Sequence, residues 1–231
     1  MRRILVALAA TIAATALTPA GAGATERCLH QGAPVATGNQ GTVERSLLCL
    51  TNVHRLRSGR GPLRLDRRLT AAARTHSAEM VARGYFGHVT PEGLDPSDLA
   101  AQAGYPGGVG ENIAANGSGT ALSLFQQWVA SPGHNENMLT GDYRAAGMGV
   151  AFGIPGEAIG GGTGTQMFGS APPDTGYTAL DLYASSERCA KGKLARERLT
   201  RRIRRKKGRT AARRKLRQAR ALIRSSCRPP V

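Results

Sequence analysis

The residues best placed for chemistry are two histidines and a carboxylate, each with a glycine beside it: His88 in YFGHVTPEG, Glu111 in GVGENIAAN and His134 in SPGHNENML. Glycine-flanked positions in loops and at helix starts can present a side chain to a cleft. Two neutral imidazoles, a carboxylate and water suit zinc or another borderline divalent ion, provided the fold brings them together. The stretch around His134 contains a conflict. Ser131 reads as an N-cap and Pro132 as the first helical residue. Gly133 and His134 then fall inside the first turn, where glycine is a poor helix former and a protonated histidine meets the positive helix end. The other histidines read as structural or solvated: His30 in an irregular lead-in, His54 on a helix, His76 in an apolar stripe. The chain has no HExxH, G-x-S-x-G, P-loop or CxxC pair, so the familiar signatures of metalloproteases, serine hydrolases and nucleotide binders are missing.

The elements that must position these groups are mostly helical at first. SLLCLTNVHRLRSGRG spaces Leu47, Leu50, Val53 and Leu56 as one apolar face and closes at Gly59. The next helix is capped by Asp66, carries Leu69, Ala72, Ala73, His76 and Met80 on one side, and ends at Gly84. DPSDLAAQAG is a short helix with Asp95 as N-cap and Pro96 behind it. GTALSLFQQWVA is a fourth, with Ala121, Leu124, Phe125 and Trp128 facing inward, and SPGHNENML starts a fifth. GMGVAF and GTQMFG then read as strands joined by the loop IPGEAIGG, while FGHV and GENIAA are short apolar segments of possible strand character. Helices followed by strands predict an α+β domain with a small antiparallel sheet.

Charge divides the chain. Residues 188–231 hold 19 Lys and Arg against the single acid Glu197, a net +18, whereas everything before them sums to −1. The first 24 residues, a short basic start, an apolar run and small residues up to Ala24, read as a secretory signal. No later apolar run is long enough for a transmembrane helix. Four cysteines in an exported chain predict two disulfides, with Cys28 favoured to pair with Cys49 and Cys189 with Cys227. Gly208 lies midway between the last two cysteines, so folding there predicts a basic, disulfide-closed helical hairpin over 188–231. The expected organisation is a signal at 1–24, a lead-in at 25–44, the domain at 45–170, a linker or docked extension at 171–187, and the hairpin.

NVHR, HSAEM, FGHVTPEG, GENIA, W-x-x-SPGHNENML and GMGVAFG, taken in this order, resemble the CAP superfamily of cysteine-rich secretory proteins, antigen 5 and PR-1, in its bacterial secreted SCP-like form. The resemblance covers about residues 45–170. It implies an α-β-α sandwich with a central cleft of two histidines and two acids. Matched by motif, those are His88, Glu111 and His134; the acid expected shortly after the tryptophan is missing from Trp128-Val129-Ala130-Ser131. On this reading Gly133 lets the chain turn tightly and the helix start aims His134 toward His88. Three functions follow as alternatives. The first is a secreted binding module, whose cleft takes a lipid, peptide or glycan while the tail holds anionic envelope surfaces. The second is a hydrolase of peptide or cell-wall bonds with zinc on His88 and His134 and Glu111 as base or orienter. The third is a polyanion binder acting through the tail; with almost no aromatic residues there, any nucleic-acid binding would be to the backbone and not sequence-specific. The bland alternative for the cleft is a buried polar network that holds the sandwich together.

Overall fold

The computed structural model describes residues 28–157 and 160–180 and, in the tail, residues 195–198, 200, 215–218 and 220. In chain order the elements are α1 (Gln40–Arg57), β1 (Arg64–Leu65), α2 (Arg67–Arg83), α3 (Pro96–Gln102), β2 (Val109–Asn116), α4 (Ala121–Ala130), α5 (Pro132–Leu139), β3 (Ala145–Phe152) and β4 (Gly162–Gly169). The sheet order is β1-β3-β4-β2. Antiparallel pairing joins β3 to β4 and β4 to β2, and a short parallel pair joins β1 to β3.

Helix α1 starts at Gln40, inside the segment expected to be an irregular lead-in. Gly41 and Thr42 are weak helix formers, so propensity hides this first turn. Tertiary contacts supply what propensity lacks. Val43 adds a turn to the buried stripe, and the buried Glu44 takes both a 2.7 Å bond and a second one from the Arg74 guanidinium of α2. The lead-in is tied to this helix by the Cys28–Cys49 disulfide, whose Cα atoms are 6.0 Å apart. Replacing both cysteines (Cys28→Ser with Cys49→Ser) is expected to cost about 3 kcal/mol by releasing a loop of this size in the unfolded chain. The check is the urea midpoint of the double variant against wild type.

The sheet lies between two helical layers because alternate residues on each strand serve different partners. Ala146, Met148, Val150 and Phe168 point to the face covered by α1 and α4, where Leu47, Leu50, Leu124 and Trp128 are buried. Ala145 and Met167 point to the other face, against Leu69, Ala72 and Ala73 of α2 and Leu99 of α3. Gly147 and Gly149 share that second face. A Cβ on Gly147 would lie 2.1 Å from the Leu69 carbonyl carbon, and one on Gly149 would lie 2.2 Å from that of Ala73. Helix α2 therefore rests directly on the backbone of β3, which is why the strand reads Gly-Met-Gly-Val. Ser77 completes the contact by donating to the Gly149 carbonyl at 3.1 Å.

The caps expected at α2 and α3 are present, and α4 has one at Thr120 beyond those expected. Asp66 accepts from the N–H groups of Arg68 and Leu69. Asp95 with Asp98, and Thr120 with Ser123, form reciprocal capping boxes. One strand expectation changes, and one strand was not foreseen. GENIAA is the core of β2, but FGHV is an irregular loop, and the two-residue β1 has no periodicity by which a sequence could reveal it. Residues 171–180 run back along the body of the fold. The Tyr177 carbonyl accepts from Leu65 N–H at 2.6 Å, the Thr178 carbonyl accepts from the Asn52 side chain, and Asp174 accepts from Arg67 N–H at 3.0 Å. The described tail positions are helical; Cys189, Cys227 and the proposed hairpin turn lie outside the described residues.

Candidate functional site

β2 forms one edge of the sheet, and the site is built around that edge. Successive residues of a strand point to opposite faces, and the Glu111-Asn112 pair uses both. Glu111 turns toward the α2 face. Its Oε2 lies 2.7 Å from His76 Nδ1, and its Oε1 lies 2.7 Å from His88 Nδ1. An ionised carboxylate only accepts, so each histidine carries its hydrogen on Nδ1. His76 is fully buried, and its Nε2 has no hydrogen-bond partner among the described residues. His88 differs: its side chain is 49% exposed, which leaves its Nε2 free to take a proton or a ligand from solvent.

Asn112 turns to the opposite face and holds α5 in place. Its Nδ2 donates to the His134 carbonyl at 2.9 Å and to Gln166 Oε1 at 3.0 Å, and Gln166 donates in turn to Thr51 of α1. Asn137 returns bonds to the Glu111 carbonyl and to Asn112 Oδ1, both at 3.1 Å. His54 bonds Asn135 at 2.7 Å, so the histidine expected to be structural or superficial is a strut beneath the same helix. One edge strand thus fixes the loop carrying His88 from one side and the helix carrying His134 from the other. The His88 loop is closed by Thr90, whose hydroxyl accepts from Leu94 N–H at 3.2 Å, and is tethered to α2 by the Arg83–Glu92 pair.

The pKa values of His88 and His134 are shifted in opposite directions. The bond to Glu111 raises the His88 pKa, burial opposes it, and the carboxylate's charge adds to the rise. Burial lowers the His134 pKa, and the neighbouring His88 lowers it further. The arrangement therefore favours one imidazolium beside one neutral imidazole.

His88 and Glu111 are hydrogen-bonded, and His134 stands near enough to His88 for the two imidazoles to influence each other. His76 joins them, which its position in an apolar stripe concealed: helical spacing marks a buried face without saying what polar group lies opposite. Glu136 is exposed on α5 and takes no part. Among the described residues no three His, Cys, Asp or Glu side chains are arranged to hold a metal ion. Both Glu111 oxygens are engaged by histidine, so the donor set does not fit the three-ligand zinc centre that a hydrolase reading needs. The expected role of Gly133 also changes. It lies within α5 with nothing within 4 Å of a Cβ placed on it, and nothing in the structure explains a glycine there. Ser131 is the N-cap and Pro132 the first helical residue, but the serine hydroxyl makes no capping bond.

Residues 48–158 match CAP, the cysteine-rich secretory protein family. This chain carries a CAP domain. Its relatives include the uncharacterized protein YkwD of Bacillus subtilis, 34% identical over 107 residues, a match covering 46% of this chain and 41% of that one. The uncharacterized membrane protein YlbC of Bacillus subtilis is 33% identical over 117 residues, covering 48% of this chain and 32% of the relative. The chain thus spans less than half the length of either. Among solved structures, an extracellular protein from Bacillus anthracis containing a SCP domain aligns with a TM-score of 0.51 and 25% identity, over 60% of this chain and 45% of that one. The α+β fold of the CAP domain, its four-stranded sheet and its two helical layers agree with that likeness. No helix among the described residues is long and apolar enough to cross a membrane.

Proposed function

We propose that the chain acts outside the cell as a ligand-binding CAP module, with His88, Glu111 and His134 as the polar centre of its cleft and His76 as their buried support. The observation that carries this reading is the saturation of the Glu111 carboxylate by two histidines. It leaves a half-exposed imidazole for recognition and no free carboxylate base. Phe86 and Val89 flank His88 and are 54% and 52% exposed, so the mouth of the cleft offers apolar surface beside a proton-binding group. That combination suits a ligand with an apolar part, such as a lipid or an apolar peptide. The extracellular setting is supported by the signal-like first 24 residues, by the Cys28–Cys49 disulfide and by the extracellular relative from Bacillus anthracis. The +18 tail would add salt-sensitive attachment to anionic envelope surfaces.

The test pairs the full chain with His88→Ala/His134→Ala. A fluorescent acyl probe, cis-parinaric acid, is expected to brighten on the wild-type protein and to lose most of that signal with the double variant. A parallel zinc titration by calorimetry is expected to show no saturable heat that depends on the two histidines. Histidine-dependent zinc binding together with turnover of a peptide or cell-wall substrate would replace the binding module by the hydrolase.

A further inference from the structure

A pocket of about 550 Å³ opens at the edge of the sheet opposite β2, beside β1. Three separate segments wall it: the α1–β1 loop with Gly61 and Pro62, the lead into β3 with Tyr143, and the docked 171–180 segment with Pro172. A cavity of this size accommodates a small ligand. Three arginines line it, Arg55, Arg64 and Arg144, and no acidic residue does. Arg60 stands at its rim, its guanidinium 3.4 Å from where a Cβ on Gly141 would lie.

Arg55 is the informative member. It is only 2% exposed, and an arginine that deeply buried ordinarily has a carboxylate partner. Here its hydrogen bonds go to neutral carbonyls: Nε to Gly61 at 2.8 Å, and Nη1 to Met138 at 2.6 Å and Thr140 at 2.9 Å. Its Nη2 has no protein partner among the described residues, nor do the guanidinium groups of Arg64 and Arg144. Asp142 follows Gly141 in the sequence yet makes no ion pair with any of them. Burial and the neighbouring Arg60 both disfavour the Arg55 cation, and among the described residues no carboxylate neutralises the positive charge of the pocket.

We propose that this pocket binds a phosphate group, as a free phosphate ester of a small polyol or as a phospholipid headgroup of the same chemistry. The planar guanidinium fork matches phosphate oxygens, and the prolines and Tyr143 give room and apolar walls for the attached carbon skeleton. The pocket is separate from the histidine cleft. Arg64 lies on one edge strand of the sheet and Glu111 on the other.

The test uses the full chain, so the basic tail is present throughout and must be controlled. Arg64→Ala/Arg144→Ala removes two exposed pocket charges and spares Arg55, whose carbonyl bonds the fold uses. Arg217→Ala/Arg220→Ala removes the same charge from exposed tail positions. Calorimetric titrations with inorganic phosphate, glycerol 3-phosphate and dihexanoyl phosphatidylglycerol are run at about 0.3 M salt to screen diffuse attraction. Saturable binding is expected in wild type and in the tail variant, weakened about tenfold or more in the pocket variant. Tighter binding of glycerol 3-phosphate than of the lipid assigns a free ester, and the reverse assigns a headgroup; either supports the pocket. Equal losses in the two double variants, or no saturable heat in wild type, overturn it.

Discussion

Gly147→Val is expected to destabilise the domain by at least about 4 kcal/mol, the high end for a single substitution. The Cβ alone would fall 2.1 Å from the Leu69 carbonyl carbon, 2.2 Å from the Thr70 nitrogen and 2.5 Å from the Leu69 oxygen. Those are helix backbone atoms, so no rotamer change relieves the clash; the whole of α2 would have to lift from the sheet. Lifting α2 would also draw Ser77 from the Gly149 carbonyl and Thr165, and His76 from Glu111. The measurement is the denaturant midpoint of Gly147→Val. Gly133→Val serves as a steric control, because its Cβ meets nothing within 4 Å. There valine should cost no more than its helix propensity, a fraction of a kcal/mol relative to alanine. Equal losses at the two positions would show that α2 does not rest on β3 as described.

Glu111→Ala should cost about 3–5 kcal/mol, the range for removing one partner of a buried charged pair. The carboxylate is the single acceptor for two Nδ1–H groups. Without it the fully buried His76 has no partner at either ring nitrogen among the described residues, since Nε2 already has none there. Glu111→Gln keeps one acceptor and turns an amide NH₂ toward the second histidine, so an intermediate loss is expected. A buried polar network and a mere surface cluster are told apart here: the surface cluster would tolerate alanine within about 0.5 kcal/mol.

The same variant has a pH signature. His88 has a raised pKa in the folded chain, chiefly through its bond to Glu111. Its contribution to stability is complete below the ordinary histidine value of about 6.5 and is lost as pH rises through the raised one. His134 has a lowered pKa, chiefly from burial. It works the other way, costing stability as pH falls from about 6.5 through its lowered value. In Glu111→Ala the His88 contribution disappears and the His134 contribution remains, so stability should no longer decline above neutral pH on this account. Histidine proton resonances followed against pH give the direct check: His88 should titrate lower in the variant than in wild type. An unchanged His88 titration would break the link between the two residues.

How much of this was legible in the sequence depends on the range of the interaction. Local signals carried well. Asp66 and Asp95 start helices because their side chains satisfy nearby N–H groups within three residues, and Gly84 ends α2 in the left-handed region at φ 69°. The pairing of Cys28 with Cys49 followed from the need to tie an irregular lead-in to the first helix. The motif order singled out His88, Glu111 and His134, and the structure joins the first two by a hydrogen bond. The tail's charge is a matter of composition, visible without any fold.

Contacts between distant segments were not legible. His76 looks like any residue on an apolar helix face until β2 brings Glu111 against it, 35 positions later. β1 is two residues long and exists only because β3 offers it an edge. GMGVAF reads as a strand, but only the approach of α2 shows that its glycines are empty seats for a helix backbone. Nothing local marks Arg55 for burial, and the tertiary structure places it beneath α5 with only carbonyl partners among the described residues. Sequence patterns report what a residue does to its own neighbours along the chain. The site depends on which face of a strand meets which helix, and long-range packing decides that.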